Sequence, residues 1–316
     1  MTKINVRQAT LDDVAAITEI FCSHIHVWQR LDADGRVEDK PYQQLKIYER
    51  WLHGGAWMSP ETGAIHLNHL LMGAGMPFVA EVNGRVLGYA ETYHSYEPQP
   101  FGENINLATL KVHADALDSR LDDALMNHCI LYTEAQECPR FMASVAVNDT
   151  ETATFYHQYG LQPLVRVQRF IVPTQTGQVF YRAIDHPDAD PSQIEDRLMT
   201  SGRYDSPRQH WETLWPGKFD TLAELRERQA ARVHFTAAGQ DAFVFFQQQL
   251  YDLRAVDVYC WSNKPLSWQF LAALRDWAHK AGYRRLVMGV TPDTVKTLGP
   301  NAEADGFYQE IYALDV

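Results

Sequence analysis

Apolar and polar residues alternate from Ile4 to Ala9, and the spacing then changes, with Val14, Ile17 and Ile20 following at helical intervals. The chain therefore opens as a strand followed by a helix, with Thr10 and Asp13 placed as a capping box at the turn between them. The same change of period organises the stretch from Leu107 to Leu161. LATLKV (Leu107 to Val112) reads as a strand and HADALDSRLD (His113 to Asp122) as a loop. DALMNHCILYTEAQE (Asp123 to Glu137) puts Ala124, Leu125, Cys129 and Tyr132 on one face of a helix. FMASVAV (Phe141 to Val147) is the next strand, and NDTETATFYHQYGL (Asn148 to Leu161) a helix that Asn148 can cap and Gly160 can end in the left-handed conformation. A strand, a loop and a helix N-terminus in this order form a general way to hold a phosphorylated group. Asn83-Gly84 between alternating apolar runs marks a hairpin.

The segment from about Ser23 to Met76 gathers His24, His26, Trp28, Tyr42, Tyr48, Trp51, His53 and Trp57. YQQLKIYERWL within it places Leu45, Tyr48 and Leu52 on one side of a helix. These rings pack an extra helix onto the sheet or form a wall for a substrate. Histidines at i and i+2 share no helix face, so His24 and His26 are not read as a metal site.

After the short polar run TQTGQ (Thr174 to Gln178) the pattern begins again. YRAIDHPDADPSQI (Tyr181 to Ile194) echoes VRQATLDDVAAI, and RVHFTAAGQDAFVFF (Arg232 to Phe246) echoes the hairpin with Ala238-Gly239 in the turn. VDVYCW (Val256 to Trp261), SNKPLS (Ser262 to Ser267), WQFLAALRDWAHKAGY (Trp268 to Tyr283), RRLVMGV (Arg284 to Val290) and GFYQEIYALDV (Gly306 to Val316) repeat the organising stretch. A repeat of this length outweighs any local motif, and predicts two lobes, 1–173 with an insertion over about 23–76, and 178–316.

Asn148, Ala153, Phe155, Tyr156, Gly160 and Leu161 resemble the closing motif of the GCN5-related N-acetyltransferase family. With the opening Val6 to Ile17 and the hairpin Pro77 to Glu91, residues 4 to 172 follow that family's element order. The doubled pattern is similar in architecture to mycothiol synthase and other double-domain acetyltransferases. The resemblance implies a mixed α+β fold of two tandem acyl-CoA N-acyltransferase lobes, each a twisted, mostly antiparallel sheet flanked by helices. It also implies acetyl-CoA as acyl donor, held along Leu110, Lys111 and Val112 and by the loop Leu117, Asp118, Ser119, Arg120, Leu121 and Asp122, with Asn148 nearby. Tyr156 would be the acid that protonates the leaving thiolate, and Glu91 the base that takes the amine proton; an exposed packing position is the other reading of Glu91.

Both lobes depart from the family. The loop pattern R/Q-x-x-G-x-G/A falls on Leu117 to Asp122 without either glycine, and Asp115, Asp118, Asp122 and Asp123 crowd the helix start. These carboxylates either cap the helix or repel an anionic donor, with Arg120 offsetting part of their charge. In the second lobe Pro265 and Ser267 stand at the glycine positions, yet Ser262, Asn263, Lys264 and Ser267 make this loop the more hospitable to an anion. Ala302 replaces the tyrosine there, and Gly299-Pro300 shortens the preceding helix. Trp211, Trp215, Trp261, Trp268 and Trp277 lie at spacings that suit a core.

The 316 residues suffice for two cores, and 46% hydrophobic residues suits a globular protein. A net charge of −12 leaves no basic face for nucleic acid or an anionic membrane, and suits a cationic small substrate. The N-terminus lacks an apolar signal core, so a cytoplasmic protein is expected. The four cysteines, Cys22, Cys129, Cys138 and Cys260, have no metal-binding spacing and are read as reduced thiols, with no metal called for. The expected function is acetyl-CoA or acyl-CoA dependent N-acylation of a small amine, by a chain that can act as a homodimer. The alternative is a catalytically degenerate tandem pseudoenzyme that binds a ligand or a partner.

Overall fold

The computed structural model describes residues 3–31, 36–226 and 229–316. The N-terminal alternation becomes β1 (Ile4–Gln8), and one 3-10 turn leads into α1 (Val14–Cys22). The Asp13 carboxylate accepts from the Thr10 N–H at 2.8 Å and is held from the other side by Arg7, so the turn is clamped at both ends. Val14, Ile17 and Ile20 are buried as their spacing requires.

The insertion carries β2 (Gln29–Leu31), β3 (Val37–Asp39), α2 (Ile47–Trp51) and α3 (Pro60–His69). The continuous helix expected over Tyr42 to Leu52 does not form. Leu45 and Lys46 are extended, and the Glu49 carboxylate accepts from the Lys46 N–H at 2.8 Å, starting a fresh helix at Ile47. Leu45 is buried and Leu52 exposed, so they share no face. Serine caps α3: Ser59 Oγ accepts from the Thr62 N–H at 3.3 Å, and Pro60 occupies the first turn.

Next come β4 (Met76–Val82), β5 (Arg85–Tyr96), β6 (Glu103–Val112), α4 (Leu121–Ala135), β7 (Arg140–Ala146), α5 (Thr150–Gln158) and β8 (Gln162–Pro173). Asp149, not Asn148, caps α5: its carboxylate accepts from the Thr152 N–H at 3.0 Å and from the Thr152 hydroxyl at 2.8 Å. A carboxylate offers two strong acceptor oxygens, and Asn148 is left in the exposed turn before it. Gly160, at φ 85°, ends α5, and the Leu161 N–H returns to Tyr156 O.

The remaining elements are β9 (Tyr181–Asp185), β10 (Leu198–Ser201), α6 (Pro207–Leu214), α7 (Ala223–Arg226), β11 (Ala230–Ala237), β12 (Gln240–Gln248), β13 (Ala255–Ser262), α8 (Trp268–Lys280), β14 (Arg285–Val290), α9 (Pro292–Leu298) and β15 (Glu303–Asp315). Among the described residues, no helix is long and apolar enough to cross a membrane.

The chain divides into two compact units, whose limits fall inside β5 and β6. The first comprises Met1–Tyr93, Leu107–Glu137 and Lys218–Glu227. In it β4 lies between β1 and β5, antiparallel to both, over a core of Ile17, Ile20, Trp57, Leu67, Leu70, Val79 and Tyr89. The second comprises His94–Asn106, Cys138–Gly217 and Arg228–Val316. Its strands run β7-β15-β8-β14-β13-β12-β11-β9, antiparallel except where β13 meets β14. The C-terminal strand β15 thus lies between β7 and β8, while β8 also pairs with β14. Strands from before and after residues 174–178 pair with one another, so a cut at that linker would open backbone ladders within this unit.

Two cores flank those strands. Phe235, Val244, Phe246, Val258 and Met288 pack on Phe270 and Leu274 of α8. On the other cluster Trp211 stacks on Trp215 at 4.2 Å, with Trp261 edge-on to both. Trp277 stacks on Phe246 at 4.1 Å. Trp268 departs from the expected core role: it is 67% exposed, at the first position of α8, where the side chain projects beyond the packed face.

The two hairpin turns are alike in backbone and unlike in cost. Asn83 and Gly84 sit at φ 52° and 79°, Ala238 and Gly239 at φ 50° and 71°. Asparagine tolerates the left-handed region through its local hydrogen bonds, whereas alanine meets the full Cβ penalty. Ala238→Asn should therefore raise stability by about 0.5–1 kcal/mol, read as a higher denaturant midpoint at unchanged slope; an unchanged midpoint would contradict the turn assignment.

Candidate active site

The expected donor-binding residues up to Asp122 lie in the first unit. Leu110, Lys111 and Val112 end β6, with Lys111 exposed and Val112 buried. The loop after them is braced by the end of α1: Val112 O is 2.8 Å from His24 Nε2, and Ser23 Oγ accepts from the Ala114 N–H at 3.0 Å. Ala114–Ser119 winds as a distorted 3-10 helix, and the Ser119 hydroxyl donates to Ala116 O. Leu117 and Ser119 are exposed and Leu121 is fully buried, anchoring α4. The Asp118 side chain lies outside the described residues.

Arg120 decides the shape of this loop. It adopts φ 60°, ψ 27°, the left-handed conformation that glycine usually supplies at such a turn. The loop thus takes a left-handed turn at Arg120 without a glycine there. The guanidinium lies 2.9 Å from Asp123 Oδ2, and Asp122 Oδ1 accepts from the Asp123 N–H at 2.9 Å. Of the two readings of the acidic cluster, capping is met in this limited form: Asp122 takes one first-turn amide, that of Asp123.

Glu91 is not an exposed strand residue. Its side chain is 5% exposed. It accepts from Tyr89 Oη at 2.9 Å, from the Tyr93 hydroxyl, and from His66 Nε2 at 3.0 Å. Burial alone pushes this carboxyl up, but positive charge and hydrogen bonding from His66, with the two hydroxyls, hold it down at about 2. The other imidazole nitrogen, His66 Nδ1, stands 3.0 Å from Lys218 Nζ. The contact lines up carboxylate, imidazole and amine in one row. Trp57 closes over it, edge-on to His66 at 5.3 Å and to Tyr89 at 5.0 Å, and its buried Nε1 has no partner. Neither His66 nor Lys218 belongs to a motif in the sequence. His66 sits on α3 and Lys218 152 positions further on, so only folding joins them.

Tyr156 and Asn148 belong to the second unit. Tyr156 is 7% exposed and edge-on to Tyr312 at 5.9 Å. Burial, with Asp205 and Asp149 adding, pushes its phenol well above the usual value, so it stays protonated at neutral pH.

The second lobe's loop, expected to be the better anion site, is closed by its own side chains. Gln240, 3% exposed, donates through Nε2 to Ser262 Oγ at 2.8 Å and to Lys264 O at 3.0 Å, and accepts through Oε1 from the Ser267 N–H at 3.3 Å. Ser267 Oγ caps α8 by accepting from the Phe270 N–H at 3.2 Å, and Lys264 Nζ donates to Gly239 O at 2.8 Å. The donors a diphosphate would use are thus spent within the loop. The strands behind it are closed as well. β13 and β14 pair in parallel only over Ala255–Asp257 and Arg285–Val287, and β10 then runs along β13 from Leu198 to Ser201. The Gly202 N–H reaches Gly289 O on β14 at 2.8 Å. Arg203, 1% exposed, pairs with Glu97 and lies over the Phe101 ring at 3.6 Å, locking this segment. Beside β10 remains a cavity of about 410 Å3, lined in part by Phe101, Arg166, Met199, Thr200, Pro265 and Thr294.

No family model matches the chain, and no curated protein matches it. Solved structures do. A GCN5-related N-acetyltransferase from Anabaena variabilis superposes with a TM-score of 0.63 at 11% identity, over 98% of this chain and 72% of that one. A putative acetyltransferase from Pyrococcus horikoshii gives 0.53 at 9% identity, over 99% and 89%. A tandem GNAT protein from the clavulanic acid biosynthesis pathway gives 0.50 at 12% identity, over 99% and 98%. The chain therefore has the mixed α+β, acyl-CoA N-acyltransferase fold in its tandem form.

The buried carboxylate yields a pH prediction. Glu91 is held at about 2 in the folded protein against a usual value of 4.5, so its contribution is complete above pH 4.5 and is lost as pH falls towards 2. The shift corresponds to roughly 3 kcal/mol. Glu91→Gln should lower stability at pH 7 by about that amount and flatten the acid limb of the stability curve; a parallel acid limb in the variant would refute the assignment.

Proposed function

We propose that this protein is an acyl-CoA dependent N-acyltransferase for a small amine, on the reading that residues 1–173 and 178–316 are two copies of one lobe and that the first binds the donor. The observation that carries the reading is the contrast between the loops. Arg120 keeps the left-handed backbone of a diphosphate loop, whereas Gln240 and β10 fill the corresponding places in the second lobe. Acetyl-CoA supplies an activated thioester. Leu110, Lys111 and Val112 offer backbone groups along it, and the amides of the Leu117 to Asp122 loop and the start of α4 receive its diphosphate.

The amine attacks the thioester carbon, a C–N bond forms and the C–S bond breaks. Glu91 does not take the amine proton itself, because it is buried, triply bonded and weakly basic. It orients His66, whose Nδ1 faces Lys218 Nζ, and the amine proton passes to solvent as the C–N bond forms. The departing thiolate takes up a proton, and Tyr156, buried and protonated at neutral pH within the second unit, is the acid that the family resemblance implies. The acidic chain favours a cationic amine over an anionic acceptor.

The cavity of about 410 Å3 in the second unit supports a second reading, a degenerate tandem protein that binds a ligand there. A thermal-shift titration with acetyl-CoA separates the two, since a ligand at about 100 times its Kd stabilises the folded state by about 2.7 kcal/mol. Stabilisation is expected, and Asp122→Asn should tighten binding about 2- to 10-fold by removing one charge near the diphosphate. No shift at millimolar acetyl-CoA would eliminate the enzyme reading.

A further inference from the structure

Away from both loops, three different metal-binding side chains converge in the second unit. His94 near the end of β5, Glu103 at the start of β6 and Cys138 just before β7 bring a ring nitrogen, a carboxylate oxygen and a sulfur within 4.8 Å of one another. His94 Nε2 and Glu103 Oε1 are already 2.9 Å apart. Their side chains are 36% and 39% exposed, whereas Cys138 is 2% exposed, so the cluster has a fixed sulfur floor and an open, adjustable rim. The Cys138 thiol faces Arg140 O at 3.6 Å.

We propose that His94, Glu103 and Cys138 form a binding site for a divalent, thiophilic metal ion of the zinc class. The donor set is one such an ion accepts, combining an imidazole nitrogen, a carboxylate oxygen and a thiolate. Tetrahedral bonds of about 2.0–2.3 Å place neighbouring donors roughly 3.4–3.6 Å apart, so gaps of up to 4.8 Å close by about 1 Å while the 2.9 Å His94–Glu103 pair opens by about 0.5 Å. The two half-exposed side chains supply that movement by rotating about their own bonds, while the buried sulfur stays in place. Thiolate and carboxylate balance the charge of the ion, and the Cys138 proton is released as it binds. Three protein donors leave a fourth position towards solvent for water or an added ligand. The site is independent of the acyl-transfer reading, because none of its residues has a part in that chemistry.

The test uses the full chain, reduced, stripped by a chelator, and titrated with Co2+. One ion per chain should bind, giving a thiolate-to-cobalt charge-transfer band and tetrahedral visible bands, both lost when Zn2+ is added. Cys138→Ser should abolish the charge-transfer band with Cys22, Cys129 and Cys260 still present. His94→Ala and Glu103→Gln, at half-exposed positions, should each weaken binding at least about tenfold, the smaller end of what even outer partners contribute. These two variants carry the test if Cys138→Ser does not fold. Absence of the bands, their persistence in Cys138→Ser, or unchanged affinity in the two surface variants would overturn the proposal and leave the cluster as a hydrogen-bonded pair beside a thiol.

Discussion

Two parallel strands that diverge leave backbone N–H and C=O groups without ladder partners, and buried groups of that kind must be satisfied by something. In an acyltransferase fold such an opening can receive the amides of a pantetheine chain. In the second lobe the chain satisfies itself. β10 takes the exposed edge of β13, the Gly202 amide reaches Gly289 on β14, and the buried Arg203–Glu97 pair holds the segment in place. A ligand that displaced it would have to replace those backbone bonds and part Arg203 from Glu97.

The two loops therefore differ in physical terms. One turns without glycine, because the left-handed residue at position 120 turns the backbone. The other has polar residues with little access to them, because Gln240 matches their donors and acceptors. A polar loop sequence thus says little about anion binding until the partners of its polar atoms are known.

Pairing of β15 between β7 and β8, with β8 also serving β14, ties the two halves of the chain into one ladder within the second unit. Such pairings are of long sequence separation, and they make each half depend on the other for satisfied strand edges.

The element order, the hairpin turns at Asn83-Gly84 and Ala238-Gly239 and the α1 capping box were legible in the sequence, because each is written in local period or turn chemistry. Local rules failed where two solutions competed nearby: Glu49 broke the helix expected across Leu45, and Asp149 outcompeted Asn148 as a cap. The sites were decided only by tertiary structure. Glu91 is bonded by His66 of α3, which Lys218 meets from behind, the loop Ser262 to Ser267 is closed by Gln240 at the start of β12, and His94, Glu103 and Cys138 meet from three strand ends. Spacing along the chain cannot encode such meetings, since they depend on which strands pair and in what register, and that is set by burial across the whole sheet.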